Sequence, residues 1–417
     1  MLFELGKVMK VRTKRLVAAA SFAAIAAPTI ADAGGFALRE RSAHAQGSSF
    51  AGSTAGAGDV TYSLFNPAAL GEVKNVELGG AISGIFPGVE GDVVGGGQSV
   101  SPGVVGVLPS FAIGKRIADD IVVGFGLHSP FGLTTDYDDD FIGSADALRS
   151  ELITIAASGL VAFEVTEDFT IGAGASLIYN DPQLTSASGV DGAGNVLEAK
   201  LNANEFTYAG SLGLLWDVTD ETRIGVAVHS GYDITTDGTL SAFTPGGAPV
   251  DLPGNASISL PWSVSVGFRQ KITDEFRLLG EFEFANWSDF SEIAVNVPAL
   301  APNNDIGEVT DYKDSIFVAI GAEYDWSDSL TLRTGFAYDQ TPTQRASRSA
   351  RIPDANRIWA SVGFTYNLDE SMAINAGYSA IFFEDTPLSI MSGPNAGTVI
   401  EYGGVTHILA IGGSMKF

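Results

Sequence analysis

Residues 34–70 read GGFALRERSAHAQGSSFAGSTAGAGDVTYSLFNPAAL. Gly, Ala and Ser dominate, the large apolar residues stand singly, and the stretch closes on Asn66-Pro67-Ala68-Ala69-Leu70. It carries too little apolar surface to offset the entropy of ordering it, so it cannot form a core of its own. It must sit inside something larger, and the sequence on either side says what.

Upstream, Lys7, Lys10, Arg12, Lys14 and Arg15 precede an apolar run from Leu16 to Ile30, and Ala31-Asp32-Ala33 offers a small-residue cleavage site. That order predicts a secretory signal peptide over residues 1–33, with Met9 as an alternative start. The whole chain carries 23 basic and 49 acidic side chains, a formal charge of −26. Phosphate binding needs clustered Lys and Arg, so nucleic acid is excluded as a partner. With no cysteine, disulfide frameworks, thiolate zinc sites and thiol catalysis are removed together. Beyond the leader, no apolar run reaches the ~18 residues a membrane helix needs.

Downstream, from Val76, the apolar signal has period two. Ile316, Val318, Ile320, Ala322 and Tyr324 alternate with Phe317, Ala319, Gly321 and Glu323. Ile358, Ala360, Val362, Phe364 and Tyr366 alternate with Trp359, Ser361, Gly363, Thr365 and Asn367. One face is mostly large and greasy, the other mostly small or polar. A soluble sandwich would bury the greasy face, whereas a membrane barrel turns it toward lipid. Short acidic links recur at Ala118-Asp119-Asp120, Thr166-Glu167-Asp168, Thr219-Asp220-Glu221, Thr273-Asp274-Glu275, Trp326-Ser327-Asp328 and Leu368-Asp369-Glu370. Longer segments rich in Gly, Pro, Asn and Asp lie between them. Tight turns alternating with long loops fit a transmembrane antiparallel β-barrel of about 14 strands over residues 76–417. The expected fold is all-β, with this barrel in a bacterial outer membrane. A lumen of that width leaks unless blocked, and residues 34–75 are the available block, an N-terminal hatch. Within it Asn66, Pro67 and Ala68 have the chemistry of a capped short helix: Asn as N-cap, Pro at the first helical position.

The stretch GGFALRERSAHAQGSSFAGSTAGAGD with the closing NPAAL resembles the hatch of the FadL/TodX family of outer-membrane transporters for long-chain fatty acids and other hydrophobic compounds. Family-like blocks continue at Pro109-Ser110-Phe111, Phe131-Gly132-Leu133-Thr134-Thr135, Arg333-Thr334-Gly335-Phe336-Ala337-Tyr338-Asp339, Ile352-Pro353-Asp354 and Arg357-Ile358-Trp359. The resemblance implies a 14-stranded barrel plugged by the hatch. Ligand meets an apolar groove on the outer loops, then a tighter site touching the hatch N-terminus. It leaves sideways through a gap at a kink in the third strand.

That resemblance gives several residues roles. Phe36 occupies the position of an apolar hatch residue that contacts ligand, with Leu38 placed beside it; the alternative for Phe36 is a packing anchor. In the third strand, IVVGFGLHSPFGL from Ile121, glycines weaken the ladder and Pro130 cannot donate to it. Gly124, Phe125, Gly126, Ser129, Pro130 and Gly132 are therefore candidates for a lateral opening, the alternative being that Pro130 simply ends the strand. Lys313 matches a cation facing a ligand carboxylate, and alternation puts it on the face of Ser315, Phe317 and Ala319; the alternative is an ion pair. The family's second cation falls where this chain has Asn180-Asp181. An acid there would repel a carboxylate and favour an uncharged hydrocarbon, as carried by transporters of the TodX type. Phe141, Ile142 and Leu148 follow the acidic run Asp136-Tyr137-Asp138-Asp139-Asp140 and are expected to line the outer groove. The run itself reads as a solvated loop, or as a divalent bridge to lipopolysaccharide.

Enzyme chemistry has little to stand on. His44, His128, His229 and His407 lack metal-ligand spacing. His128-Ser129 puts neighbouring side chains on opposite faces of a strand. The expectation is a monomeric channel for passive uptake of fatty acids or similar hydrophobic molecules, set in outer-membrane lipid, with no cofactor, metal or catalytic residue. A general porin or an adhesive surface barrel are the rivals.

Overall fold

The computed structural model describes residues 35–190, 196–243, 248–299 and 307–417; the expected leader lies outside them. A ring of 14 antiparallel strands closes on itself. The first strand, Val76–Phe86, pairs with Gly106–Ala118 on one side and with the last, Val399–Lys416, on the other. Period-two alternation determines which way the wall faces. Val318, Ile320 and Tyr324 are 42%, 61% and 44% exposed, while Phe317 and Ala319 on the opposite face are 1% and 4% exposed. Greasy residues therefore point away from the lumen all round the ring, which requires a hydrocarbon surrounding. Among the described residues no helix is long and apolar enough to cross a membrane; strands do the crossing. The acidic links join neighbouring strands at one rim, where the ladder shifts register between Arg116 and Ala118 and between Glu164 and Thr166. At the other rim the strands run on. Phe169–Val190 has 22 residues, well beyond the ~9–11 needed to cross.

Residues 35–73 fill the lumen. The helix Ala43–Gln46 lies against the strands Arg357–Asp369, Met372–Ser389 and Val399–Lys416. The 3-10 turn Ser53–Ala55 meets Thr222–His229 and Ser263–Lys271, and Val60–Leu64 meets Val76–Phe86 and Gly106–Ala118. A third turn, Pro67–Glu72, meets Arg149–Thr166, Phe169–Val190 and Glu205–Thr219. A segment touching strands on every side can only be inside the ring. Asn66 caps the third turn by accepting from Ala68 N–H at 3.0 Å, while its Nδ2 donates to the carbonyls of Thr54 and Leu214. The motif is thus both a local cap and a tie to the wall.

The small face of the wall now has a physical cause. A Cβ added at Gly213 would fall on the Asn66 side chain, and one at Gly335 on the Ser48 carbonyl. Gly126 and Gly124 likewise make room for Leu64 and Leu70. This corrects one expectation. Gly124 and Gly126 pair regularly with Gly114 and Ala112 on one side and with Leu160 and Ser158 on the other, and Phe125 is 40% exposed on the lipid side. Those glycines admit the lumenal segment; they do not interrupt the ladder.

The interruption comes later. The third strand runs Ile121–His128, stops, and resumes as Gly132–Asp136. Both pieces pair with the fourth strand. Toward the second strand, described pairing ends at Leu127, and only an isolated bridge from Gly103 to Thr135 lies beyond.

Candidate functional site

The break is where the lumenal segment begins. Ala37 forms a β-bridge to Phe131. Leu38 N–H donates to the Pro130 carbonyl at 2.9 Å, and Gly132 N–H donates to the Phe36 carbonyl at 2.8 Å. Backbone groups that Pro130 and its neighbours take out of the wall ladder are thus satisfied by the tip of the segment, as buried amides require. Thr154 completes the accounting: its hydroxyl accepts from Phe131 N–H at 3.1 Å and donates to the Phe131 carbonyl at 2.5 Å. Gly35 N–H is held by Asp354 Oδ2 at 2.9 Å.

Two cavities flank this tip. The outer one, about 580 Å³ of empty space, is lined by Phe36 with Leu133, Leu152, Leu184, Leu201 and Ile293 among other apolar side chains. The inner one, about 970 Å³, lies below the break and is more polar. Phe36 belongs to an aromatic cluster, with its ring centroid 4.8 Å from Trp287, 5.3 Å from Phe290 and 6.1 Å from Phe131. Tyr312 packs on Trp287 and Phe290 in turn. Phe36 is packed at 2% exposure, as a packing anchor would be, and it also lines the outer cavity. Leu38, also 2% exposed, lines the inner cavity instead.

The remaining candidates scatter. Asn180 is fully buried on the lumenal face, between Ile178, which lines the inner cavity, and Pro182, which lines the outer. Its Nδ2 donates to Thr207 Oγ1 at 3.0 Å. Asp181 turns the other way and accepts from the Tyr179 hydroxyl at 3.2 Å, so no acid enters the lumen there. Lys313 does not follow the expected alternation. Its strand starts only at Ser315, the backbone at Asp311 has φ of 46°, and the Lys313 side chain is exposed and lines neither cavity. Pro130 lines the inner cavity; Ser129 is 9% exposed.

The outer groove is also corrected. Phe141 is 3% exposed and stacked on Tyr137 with centroids 4.1 Å apart, and Leu148 is 3% exposed. Phe141 and partly buried Ile142 join a packed cluster with Val89, Leu388, Ile400 and Tyr402. Phe141, Ile142 and Leu148 line neither of the two cavities. In the acidic run, Asp136 accepts from Arg149 Nη1 at 2.7 Å.

Sequence reading missed Trp287 and Phe290. Their signal was available: an aromatic pair in Asn286-Trp287-Ser288-Asp289-Phe290, outside any alternating segment, has no lipid to face.

A closed barrel, apolar outside and filled inside, defines an outer-membrane channel protein. The family described as outer membrane protein transport protein (OMPP1/FadL/TodX) matches residues 24–417, and the chain belongs to it. It is 29% identical over 386 residues to the 47 kDa outer membrane protein of Pasteurella multocida, covering 84% of this chain and 87% of that one. It is 24% identical over 394 residues to the long-chain fatty acid transport protein of Escherichia coli O6:H1, covering 83% and 86%. Among solved structures, a Pseudomonas aeruginosa FadL homologue superposes with a TM-score of 0.79 at 20% identity, over 92% of this chain and all of that one. The Pseudomonas putida toluene transporter TodX gives 0.72 at 18% identity, over 93% and 99%. At these identities the two structures speak for the fold.

Proposed function

We propose that the protein is a passive channel for long-chain fatty acids or similar hydrophobic molecules, with residues 34–75 as its hatch. The observation that carries this is the apolar outer cavity walled by Phe36, one residue before the bridge that closes the break in the third strand. A hydrophobic molecule entering that cavity gains by leaving water, and it reaches the part of the wall whose pairing is weakest. Displacing the tip opens Ser129, Pro130 and Gly132 toward lipid, and cargo leaves sideways. No catalytic step or cofactor is needed, and the barrel works as a monomer in contact with lipid and lipopolysaccharide. Lys313, exposed beside Tyr312, acts at the outer mouth as a steering charge, so Lys313→Ala should slow oleate capture at low ionic strength only.

The lining of the outer cavity favours a second reading. Its charged member is Glu151, held by Arg149 at 3.1 Å, and Asn180 stands where a cation was expected, so uncharged aromatic or aliphatic hydrocarbons fit it at least as well. One experiment separates these readings from the rivals: uptake of oleate and of toluene in cells lacking their own transporter. Uptake of either above vector supports the channel, and the ratio assigns the cargo. If neither exceeds vector, the proposal fails.

A further inference from the structure

The inner cavity holds a set of polar atoms that the channel reading does not use. Arg39 Nε, Arg41 Nε, His128 Nδ1 and the Tyr232 hydroxyl all line it, and all are buried without a hydrogen-bond partner. The acid present is already committed: Glu283 takes Arg39 at 2.8 Å through Oε1 and the Ser265 hydroxyl at 2.9 Å through Oε2. Arg39 also lies over the Phe317 ring, 3.7 Å from its centroid. Arg41 differs. Its one side-chain hydrogen bond goes from Nη1 to the Leu64 carbonyl at 2.9 Å, its guanidinium lies 5.6 Å from the Phe65 ring centroid, and among the described residues no carboxylate forms an ion pair with it. Neighbouring Glu40 folds back so that Oε2 accepts from Arg39 N–H at 3.0 Å. Burial raises the Glu40 carboxyl to about 7, against opposing backbone hydrogen bonds and the two arginines. It is therefore a weak counter-charge at neutral pH. Arg41 lies within electrostatic reach of His128, His229, Tyr232 and Glu283.

A shielded guanidinium without its own counter-ion is costly, and its cost falls when an anion arrives. A carboxylate is acceptor-only, with room for about four hydrogen bonds on two oxygens. The orphaned groups are donors or can become donors: two arginine Nε–H, one phenol and one imidazole. We propose that the inner cavity is a carboxylate-receiving site, in which Arg41 carries the charge and Tyr232 and His128 donate to the same head group. The outer cavity then accepts a hydrophobic molecule whatever its head, and the inner cavity, one step further along, distinguishes an anionic amphiphile from a neutral one. This rests on the channel reading and assigns to Arg41 the selectivity that the outer cavity lacks.

The test uses the full barrel in a non-ionic detergent, with oleate and oleyl alcohol as equal-length probes. Arg41→Met should weaken equilibrium binding of oleate by about tenfold or more, the effect of deleting a charged hydrogen-bond partner, and leave oleyl alcohol unchanged. Arg41→Lys should recover most of the loss, and Tyr232→Phe should show a smaller deficit confined to oleate. Unchanged oleate binding in Arg41→Met, meaning that the donors face water only, would overturn the proposal. Equal loss of both probes would do the same, because it makes Arg41 a packing residue. If Arg41→Met fails to assemble, Arg41→Lys and Tyr232→Phe carry the same comparison. Wild-type uptake of the two probes by cells keeps the underlying reading separate. Absence of both removes the channel, whereas wild-type uptake of both with an oleate-to-oleyl-alcohol preference that Arg41→Met leaves unchanged removes only this site.

Discussion

Phe36 is a packing residue that also walls a cavity. Its ring is locked edge-on among Trp287, Phe290 and Phe131, arrangements that such rings favour, yet its free edge forms cavity wall. Phe36→Ala should weaken oleate and toluene binding alike, by roughly tenfold, because burial of apolar area is blind to charge; equilibrium binding measures this. Glu40, in the same tip, makes a pH prediction. Its carboxyl is raised by burial from 4.5 to about 7. Between those values the folded segment holds a proton that the unfolded chain has already released, so its stability falls as pH rises through that window. Hydrogen exchange of residues 35–45 should therefore be faster at pH 8 than at pH 5 beyond the intrinsic chemical rate, and Glu40→Gln should abolish that excess.

Among the elements, the third strand and its glycines separate what the sequence could reveal from what it could not. The lipid-facing alternation was legible because hydrocarbon tolerates only one face, so Val318, Ile320 and Tyr324 had to share it. Pro130 was legible as a place without a donor. Gly124 and Gly126 were misleading, since a strand glycine can mean lost pairing or close approach, and only Leu64 and Leu70 on the opposing segment decide which. Lys313 was lost because alternation cannot be carried backward beyond Ser315, where its strand begins. Close approach predicts its own cost. Gly335→Val pushes a side chain into the Ser48 carbonyl and should destabilise the folded barrel by about 1–3 kcal/mol, read as a lower temperature for the gel-mobility shift on heating. A lipid-facing change such as Ile320→Leu should leave that temperature unchanged.

For the whole molecule, the question is how much must move. Ala37 and Phe131 face each other between flanking hydrogen bonds, the closer kind of antiparallel pair, at a spacing a disulfide can span. The chain has no cysteine, so Ala37→Cys with Phe131→Cys would form a single defined cross-link. Oxidised, it should abolish uptake and, reduced, restore it; uptake unaffected by oxidation would show that the tip does not move. Removing residues 35–75 should instead let liposomes swell in small sugars, which the intact protein should resist. The glycine seats set the limit between these two cases. From Ser48 to Leu70 the lumenal segment is moulded against backbone at several heights around the ring, so it cannot slide along the axis like a piston. On the proposed release route, motion would be confined to the few residues ahead of that mould. If the proposed channel operates this way, the bacterium would admit greasy nutrients without a water-filled hole, keeping its outer barrier closed to polar antibiotics.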